Sequence, residues 1–294
     1  MADVNNIHVG SVEDMGYRNS MEDDHAVYHD DLKSFFSAEV YDGHGGRKAA
    51  QIAAEMVTPH FLHEWSKESE KQRKDQLPTP DLLRNAYLAV DRYVTESGFD
   101  SGTTAAGIYF IGDRFFAINC GDTRIVMGTE GGAITLTVDH KPDLPAEQQR
   151  IEEKGGHVVC LGVARVQGIL AVSRAIGDRS LKPFVVAEPR IVVGYVGREN
   201  DFVVVACDGV WDVLSPEIAI AIARAAENAQ AAAENIRTSA IDSGSTDNIT
   251  VLVLDLRDYV AHLNRKKMEI VQVIDKALED GLEGTGETEA NPRT

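Results

Sequence analysis

The run Thr103–Ile111 (TTAAGIYFI), the pair Gly112-Asp113 and the run Arg114–Asn119 (RFFAIN) carry the clearest architectural signal in the chain. Two stretches of apolar and β-compatible residues joined by Gly-Asp predict a hairpin. Arg124–Gly128 and Ala133–Val138, flanking Thr129-Glu130-Gly131-Gly132, predict a second. Phe35–Tyr41 (FFSAEVY) predicts a strand that ends at Asp42, and Phe202–Cys207 (FVVVAC) and Ile249–Leu256 (ITVLVLDL) predict strands buried on both faces. Helical spacing of apolar residues appears over 47–65, over 81–96 with Asp81 as cap, and over 145–154, ended by Gly155-Gly156. A long Ala-rich helix is expected from Ser215-Pro216-Glu217 to about Ala240, and a last amphipathic one over 258–280. The polar stretch 67–76 is expected as a surface loop. Hairpins imply antiparallel pairing, the helices fall between blocks of strands, and strict βαβ alternation is absent. The expected class is α+β: two stacked antiparallel β-sheets forming a β-sandwich flanked by α-helices, four layers αββα. No linker divides the chain, so residues 1–256 are expected as one catalytic domain, 257–280 as an appended helix, and 281–294 as a disordered acidic tail.

The chain has 294 residues, of which 43% are hydrophobic and 26% charged, as in ordinary globular proteins. A net charge of −18 disfavours nucleic acid and anionic membrane as partners, since both need a basic surface. No apolar run approaches the roughly 20 residues that span a bilayer. The three cysteines, Cys120, Cys160 and Cys207, form no CxxC pair, which excludes a thiolate zinc site. They sit in apolar runs and are expected to pack as small hydrophobes in a reducing compartment, cytoplasmic or nuclear.

Acidic residues recur at strand ends beside glycine: Asp42-Gly43-His44-Gly45-Gly46, Asp208-Gly209-Val210-Trp211-Asp212, Asp247-Asn248, Asp139-His140, and Glu22-Asp23 near the start. A carboxylate at the mouth of a buried strand is costly to desolvate, and several converging would repel one another. A divalent cation resolves both problems. Asp and Glu oxygens with one histidine and no thiolate favour Mg²⁺ or Mn²⁺. The Gly43 carbonyl could itself be a ligand, because glycine lets the backbone approach closely. In extended chain Glu22 and Asp23 point to opposite sides, so at least one of them acts through water or a hydrogen bond. Asp113 and Asp122 read as hairpin residues, and Arg174 and Asp178 as fold support.

The set resembles the metal-dependent serine/threonine protein phosphatases of type 2C (PPM), in their eukaryotic-type branch. RNSMEDD (18–24), VYDGHGG (40–46), SGTTAAG (101–107) and NCGDTR (119–124) match in order. DHKP (139–142), LAVSRAIGD (170–178), VVACDGVWDVL (204–214) and STDNIT (245–250) continue the register. The resemblance implies a protein serine/threonine phosphatase acting on phosphorylated proteins in signalling. Its mechanism would be in-line attack by a hydroxide bridging two Mn²⁺ or Mg²⁺ ions, without a phosphoenzyme. Asp42 would bridge the ions, Gly43 would bind one of them, and Asp208 and Asp247 would complete the other's protein ligands. Glu22 and Asp23 would hold metal-bound waters. Asp139, with Asp208 and Asp212, would form a weaker third site. Arg18 would hold the substrate phosphate and His44 would protonate the leaving oxygen. The family's serines stand here as Thr103 and Thr123, which keep the hydroxyl. The short stretch between Asp178 and Glu188-Pro189 is where a flap beside the active site is expected. The protein is expected as a monomer without nucleic-acid or membrane partners.

Other phosphatase classes fit poorly. A calcineurin-like phosphoesterase would need a GNH[ED] segment, which is missing, and Cys160 and Arg165 have four residues between them where a cysteine-dependent phosphatase needs five. A catalytically inactive phosphatase-like scaffold that binds phosphoproteins is the alternative from another class. Loss of a metal carboxylate would mark it, and all those expected are present.

Overall fold

The structure, a computed structural model, describes residues 4–30, 34–72 and 77–269. Strands β1 (His8–Asp14), β2 (Asp24–Asp30), β3 (Phe35–Tyr41) and the two-residue β4 (Gly43–His44) come first. Helices α1 (Lys48–Gln72) and α2 (Pro80–Glu96) follow. Next are β5 (Gly102–Thr103), β6 (Ala105–Ile111), β7 (Arg114–Cys120), β8 (Arg124–Thr129) and β9 (Gly132–Thr135). Then come α3 (Pro145–Glu153), β10 (Val158–Leu161), β11 (Val163–Val166), β12 (Ile176–Gly177), β13 (Arg190–Tyr195) and β14 (Phe202–Ala206). The short α4 (Asp208–Trp211), α5 (Pro216–Ala225), α6 (Ala229–Asp242) and β15 (Ile249–Asp255) complete the matched motifs, and a helix α7 runs from residue 257 to at least 269.

Two five-stranded sheets carry the fold, in the orders β1-β15-β14-β8-β9 and β13-β7-β6-β3-β2, and every pairing in them is antiparallel. The β6–β7 hairpin turns at Gly112-Asp113 as its sequence predicts. Phe36, Ala38, Val40, Ile108 and Phe110 from one sheet meet Ile125, Val203, Val205, Leu252 and Leu254 from the other. Their sequence neighbours point outward: Phe35, Tyr41, Tyr109 and Ile118 pack under α1 and α2, while Val204, Ala206, Val251 and Val253 pack under α5 and α6. Alternation of side chains along a strand thus feeds a core between the sheets and one under each helical layer, which is the αββα order. Burying apolar surface stabilises by about 25 cal/mol per Å², and burial on both sides of the strand explains the unbroken run FVVVA. Tyr259, Val260 and Leu263 of α7 are buried in the inter-sheet core. The expected tail from 281 and the helix beyond 269 lie outside the described residues.

Several local expectations need correction. The expected long helix from Pro216 breaks into α5 and α6 because Ala226 is extended (φ −80°, ψ 153°) and the Asn228 side chain accepts from Ala231 N–H, starting a new helix. The cap of α2 is Thr79, with Pro80 in its first turn, so Asp81 lies inside the helix. Residues 67–72 belong to α1 and not to a loop. Cys120 and Cys207 are buried, but Cys160 is exposed, because the β10–β11 hairpin stands apart from both main sheets. Glu39 is fully buried in the run that reads as an apolar strand; it accepts from Tyr41 Oη at 2.8 Å and from Thr58 Oγ1.

Candidate active site

A cleft of about 480 Å³ opens where the two sheets present the ends of β3, β14 and β15. Its walls include Arg18, Glu22, Asp42, Gly43, His44, Asp122, Asp208 and Asp247. Asp42 follows β3, Asp208 follows β14, and Asp247 precedes β15, so residues more than 160 positions apart meet because β14 and β15 pair and stack on the β3 sheet. Thr104 N–H donates to the Asp42 carbonyl at 2.9 Å, and the Thr104 and Thr123 hydroxyls bond each other at 2.5 Å. Thr103 Oγ1 donates to the Thr104 carbonyl at 2.7 Å.

The Asp-Gly-His-Gly-Gly segment has a steric reason. A Cβ on Gly43 would lie 2.2 Å from the Glu22 carbonyl oxygen, so only glycine lets these two backbones touch. That approach sets Glu22 in the cleft wall, where its carboxylate accepts from Gly46 N–H at 3.0 Å and from Ser20 Oγ at 3.1 Å. The next residue, Asp23, faces the opposite way as alternation demands. It is buried at 1% exposure, accepts from Thr250 Oγ1 at 2.7 Å, and shares a cluster with Asp42 and Cys207.

Electrostatics in the cleft are dominated by like charge. Asp42 and Asp208 touch the cleft yet are otherwise enclosed by protein. Burial, then Asp23, Asp208, Asp122 and Asp247, push the Asp42 carboxyl well above the usual carboxylate range. Burial, then Asp122, Asp212 and Asp247, push Asp208 up to about 7. Burial raises Asp23 to about 6 despite the Thr250 hydrogen bond. Such a set of converging oxygen donors fits a hard divalent cation, whose charge would remove the mutual repulsion.

Arg18 reaches into this field from the β1–β2 loop, and its Nη2 donates to Asp247 Oδ2 at 2.5 Å. Burial opposes its charge, but Asp247, Asp208 and Asp42 raise its pKa. Asp139 sits among the charged groups around Asp212. Its carboxylate takes two hydrogen bonds from Arg124, at 3.1 and 2.7 Å, and it is not among the residues lining the cleft. Asp122, which reads as a hairpin residue, lies in the cleft wall instead, buried and in contact with Lys141 Nζ. Asp212 sits outside the cleft lining, near enough to Asp208 to raise its pKa.

His44 lines the cleft, and its Nε2 lies within hydrogen-bond distance of Asp178, 2.9 Å from Oδ1 and 2.8 Å from Oδ2. Asp178 therefore touches a residue of the cleft wall. Another part of the wall is Arg165, Leu170, Ala171 and Val172, in and after the β10–β11 hairpin. The expected flap over 178–188 does not line the cleft; Leu181 and Val185 from that stretch pack against Ile151 of α3 in a small separate core.

Comparison with known proteins agrees with this geometry. The family model "Protein phosphatase 2C" matches residues 7–249. The rice (Oryza sativa subsp. japonica) probable protein phosphatase 2C 59 is 36% identical over 260 residues, which cover 86% of this chain and 77% of the relative. The Arabidopsis thaliana probable protein phosphatase 2C 59 is 37% identical over 251 residues, 83% of this chain and 78% of the relative. Among solved structures, serine-threonine phosphatase 2C from Toxoplasma gondii superposes with a TM-score of 0.73 at 26% identity, covering 85% of this chain and 94% of that one. A sex-determining protein of C. elegans superposes with a TM-score of 0.76 at 27% identity, covering 88% and 67%. A family model that spans β1 to the start of β15, and relatives alike over the same span, leave one conclusion: the chain belongs to the protein phosphatase 2C family.

Proposed function

We propose that this cleft hydrolyses phosphoserine and phosphothreonine in proteins, passing the phosphoryl group straight to water without a phosphoenzyme. The convergence of Asp42, Asp208, Asp247, Glu22 and Asp122 on one cleft, with Arg18 at its edge, carries this reading. Asp42, the Gly43 carbonyl, Asp208 and Asp247 would hold two Mg²⁺ or Mn²⁺ ions, with Glu22 and Asp23 acting through water. A weaker third ion would fall to Asp139, Asp208 and Asp212, with Asp139 loosening from Arg124. When bound, the ions supply charge neutralisation at the phosphoryl oxygens and an acidified water.

The chain's own residues do the rest. Arg18 binds two phosphate oxygens through its planar fork after loosening from Asp247. The serine or threonine alkoxide is a poor leaving group, and His44 gives it a proton, a contribution on the order of 10²–10⁴-fold. Cys207 is kept out of the chemistry: it is buried and its thiol is pushed well above its ordinary value, first by burial and then by Asp23 and Asp42. The site would serve a cytoplasmic or nuclear phosphoprotein pool as a monomer. The test is phosphate release from a phosphothreonine peptide with Mg²⁺, with Mn²⁺ and with EDTA, followed by acid quench and a search for phosphate on the protein. Metal-dependent turnover with no labelled protein is expected. Absence of turnover at any pH from 7 to 9 would make the protein a binding scaffold, and acid-stable label on the chain would refute direct transfer to water.

A further inference from the structure

We propose that Asp178 is a positioning residue for proton transfer, holding the His44 ring so that Nε2–H stays on its carboxylate and Nδ1 is the nitrogen that serves the leaving oxygen. The inference rests on the reading of His44 as the proton donor.

Three observations carry it. Both Asp178 oxygens lie within 2.9 Å of His44 Nε2, and Asp178 is only 5% exposed, so this is a directed contact inside the protein. The small sheet β12-β5-β4 lies at this point of the fold, pairing His44 with Gly102 and Gly102 with Gly177. It sets the histidine and the residue after Gly177 on either side of one glycine. A Cβ at Gly102 would lie 2.1 Å from Asp178 Oδ2 and 2.4 Å from His44 Nε2, so the pair occupies the space that glycine leaves. Asp178 itself is held at φ 51°, ψ 50°, a left-handed conformation uncommon outside glycine. Its surroundings enforce that conformation: Asp178 N–H donates to the Ser101 carbonyl at 3.3 Å, and Gly177 N–H donates to Asp91 Oδ1 at 2.8 Å. Strain kept beside a cleft points to function.

The chemistry follows from the inventory of an imidazole. A ring that keeps one N–H on a carboxylate has its tautomer and plane fixed. When the bond between phosphorus and the serine oxygen breaks, its electron pair stays on the oxygen, which takes the Nδ1 proton. The ring is left neutral with Nε2–H still on Asp178, and water entering the reaction supplies the proton that recharges Nδ1.

The test is a double-mutant cycle of Asp178→Asn and His44→Ala, in Mg²⁺, on a phosphothreonine peptide and on p-nitrophenyl phosphate, whose leaving group needs no proton. Asparagine tolerates the left-handed conformation, so the backbone is preserved. Asp178→Asn is expected to lower kcat on the peptide by about 10- to 100-fold, a part of what a proton donor contributes, with KM unchanged. On p-nitrophenyl phosphate the loss is expected below about threefold. In the His44→Ala background the same substitution should cost nothing further. Equal losses on both substrates, or a full additional loss without His44, would show Asp178 to be merely structural and overturn the proposal. If His44→Ala is selective for the peptide and Asp178→Asn is not, the proposal fails and His44 keeps its role. If His44→Ala itself costs both substrates equally, the proton-donor reading fails and takes the proposal with it. A second measurement needs no variant to fold: a long-range ¹H–¹⁵N spectrum of the wild-type Mg²⁺ form should show the neutral His44 ring protonated on Nε2, and protonation on Nδ1 overturns the proposal.

Discussion

Gly102→Ala adds one methyl group at the point where His44 and Asp178 meet. Gly102 does not have the positive φ that strains other residues, so alanine fits the backbone of β5. Its Cβ, however, starts 2.1 Å from Asp178 Oδ2 and 2.4 Å from His44 Nε2, where ordinary contact begins at 3.4 Å. The carboxylate must retreat by about 1.3 Å and the ring nitrogen by about 1 Å to restore contact. A misplacement of about 1 Å costs on the order of 10²-fold in a positioned reaction. The expected result is therefore about a 10²-fold loss of kcat on a phosphothreonine peptide, within the 10²–10⁴-fold that a proton donor contributes. Hydrolysis of p-nitrophenyl phosphate should fall far less, because phenolate departs unprotonated. Steady-state kinetics on both substrates, with a urea melt to verify the fold, measure it. A variant that stays within threefold of wild type on the peptide, or that loses both activities alike while folded, refutes the geometry on which this reasoning stands.

Asp208→Asn should abolish metal-dependent turnover and weaken Mg²⁺ binding by calorimetry. In chelator the same variant should be more stable than wild type. The Asp208 carboxyl, at about 7 in the fold against about 4 unfolded, keeps its full contribution only below the lower value and loses it as pH rises through the upper one. The urea-melt difference should thus vanish near pH 4 and reach on the order of 4 kcal/mol by pH 8. Equal stability at pH 8 would contradict the like-charge account of the cleft. Arg18→Ala should raise KM for phosphopeptides with a smaller effect on kcat, and an unchanged KM removes Arg18 from phosphate binding. Glu147→Gln should destabilise the fold by about 3 kcal/mol in urea melts, since it leaves two half-buried cations facing a neutral group. Burial raises the Glu147 carboxyl, but Arg174, Ser173 and Arg150 outweigh it and hold the group at about 2. A loss below about 1 kcal/mol would mean that solvent already screens this cluster.

The sandwich was legible because strand periodicity and Gly-Asp turns are local signals, and FVVVA and ITVLVLD announce burial on both faces by composition alone. The carboxylates Asp42, Asp208 and Asp247 were legible for the same reason, each lying at the end of an apolar strand. Asp122 reads as a hairpin residue and Asp178 as fold support because each sits in a local setting that explains it: one follows a hairpin strand, the other follows Gly177 in a turn. Only the pairing of β4, β5 and β12, which joins segments far apart in the chain, sets Asp178 against His44. The break between α5 and α6 was hidden by alanine, which suits a helix on either side of Asn228. Cys160 was misplaced because VVCL has a core composition while its hairpin belongs to neither main sheet.

The seat of β15 has a consequence for how the molecule is made. This strand is the last among the described residues and lies between the first strand, β1, and β14. A ribosome releases the N-terminal strand long before its partner exists, and contacts of such long sequence separation form slowly. Asp247 arrives with that same late strand. A nascent or prematurely terminated polypeptide therefore lacks both the strand that closes its sheet and one wall of the cleft, so the ability to erase phosphate marks arises only when synthesis has passed the final strand.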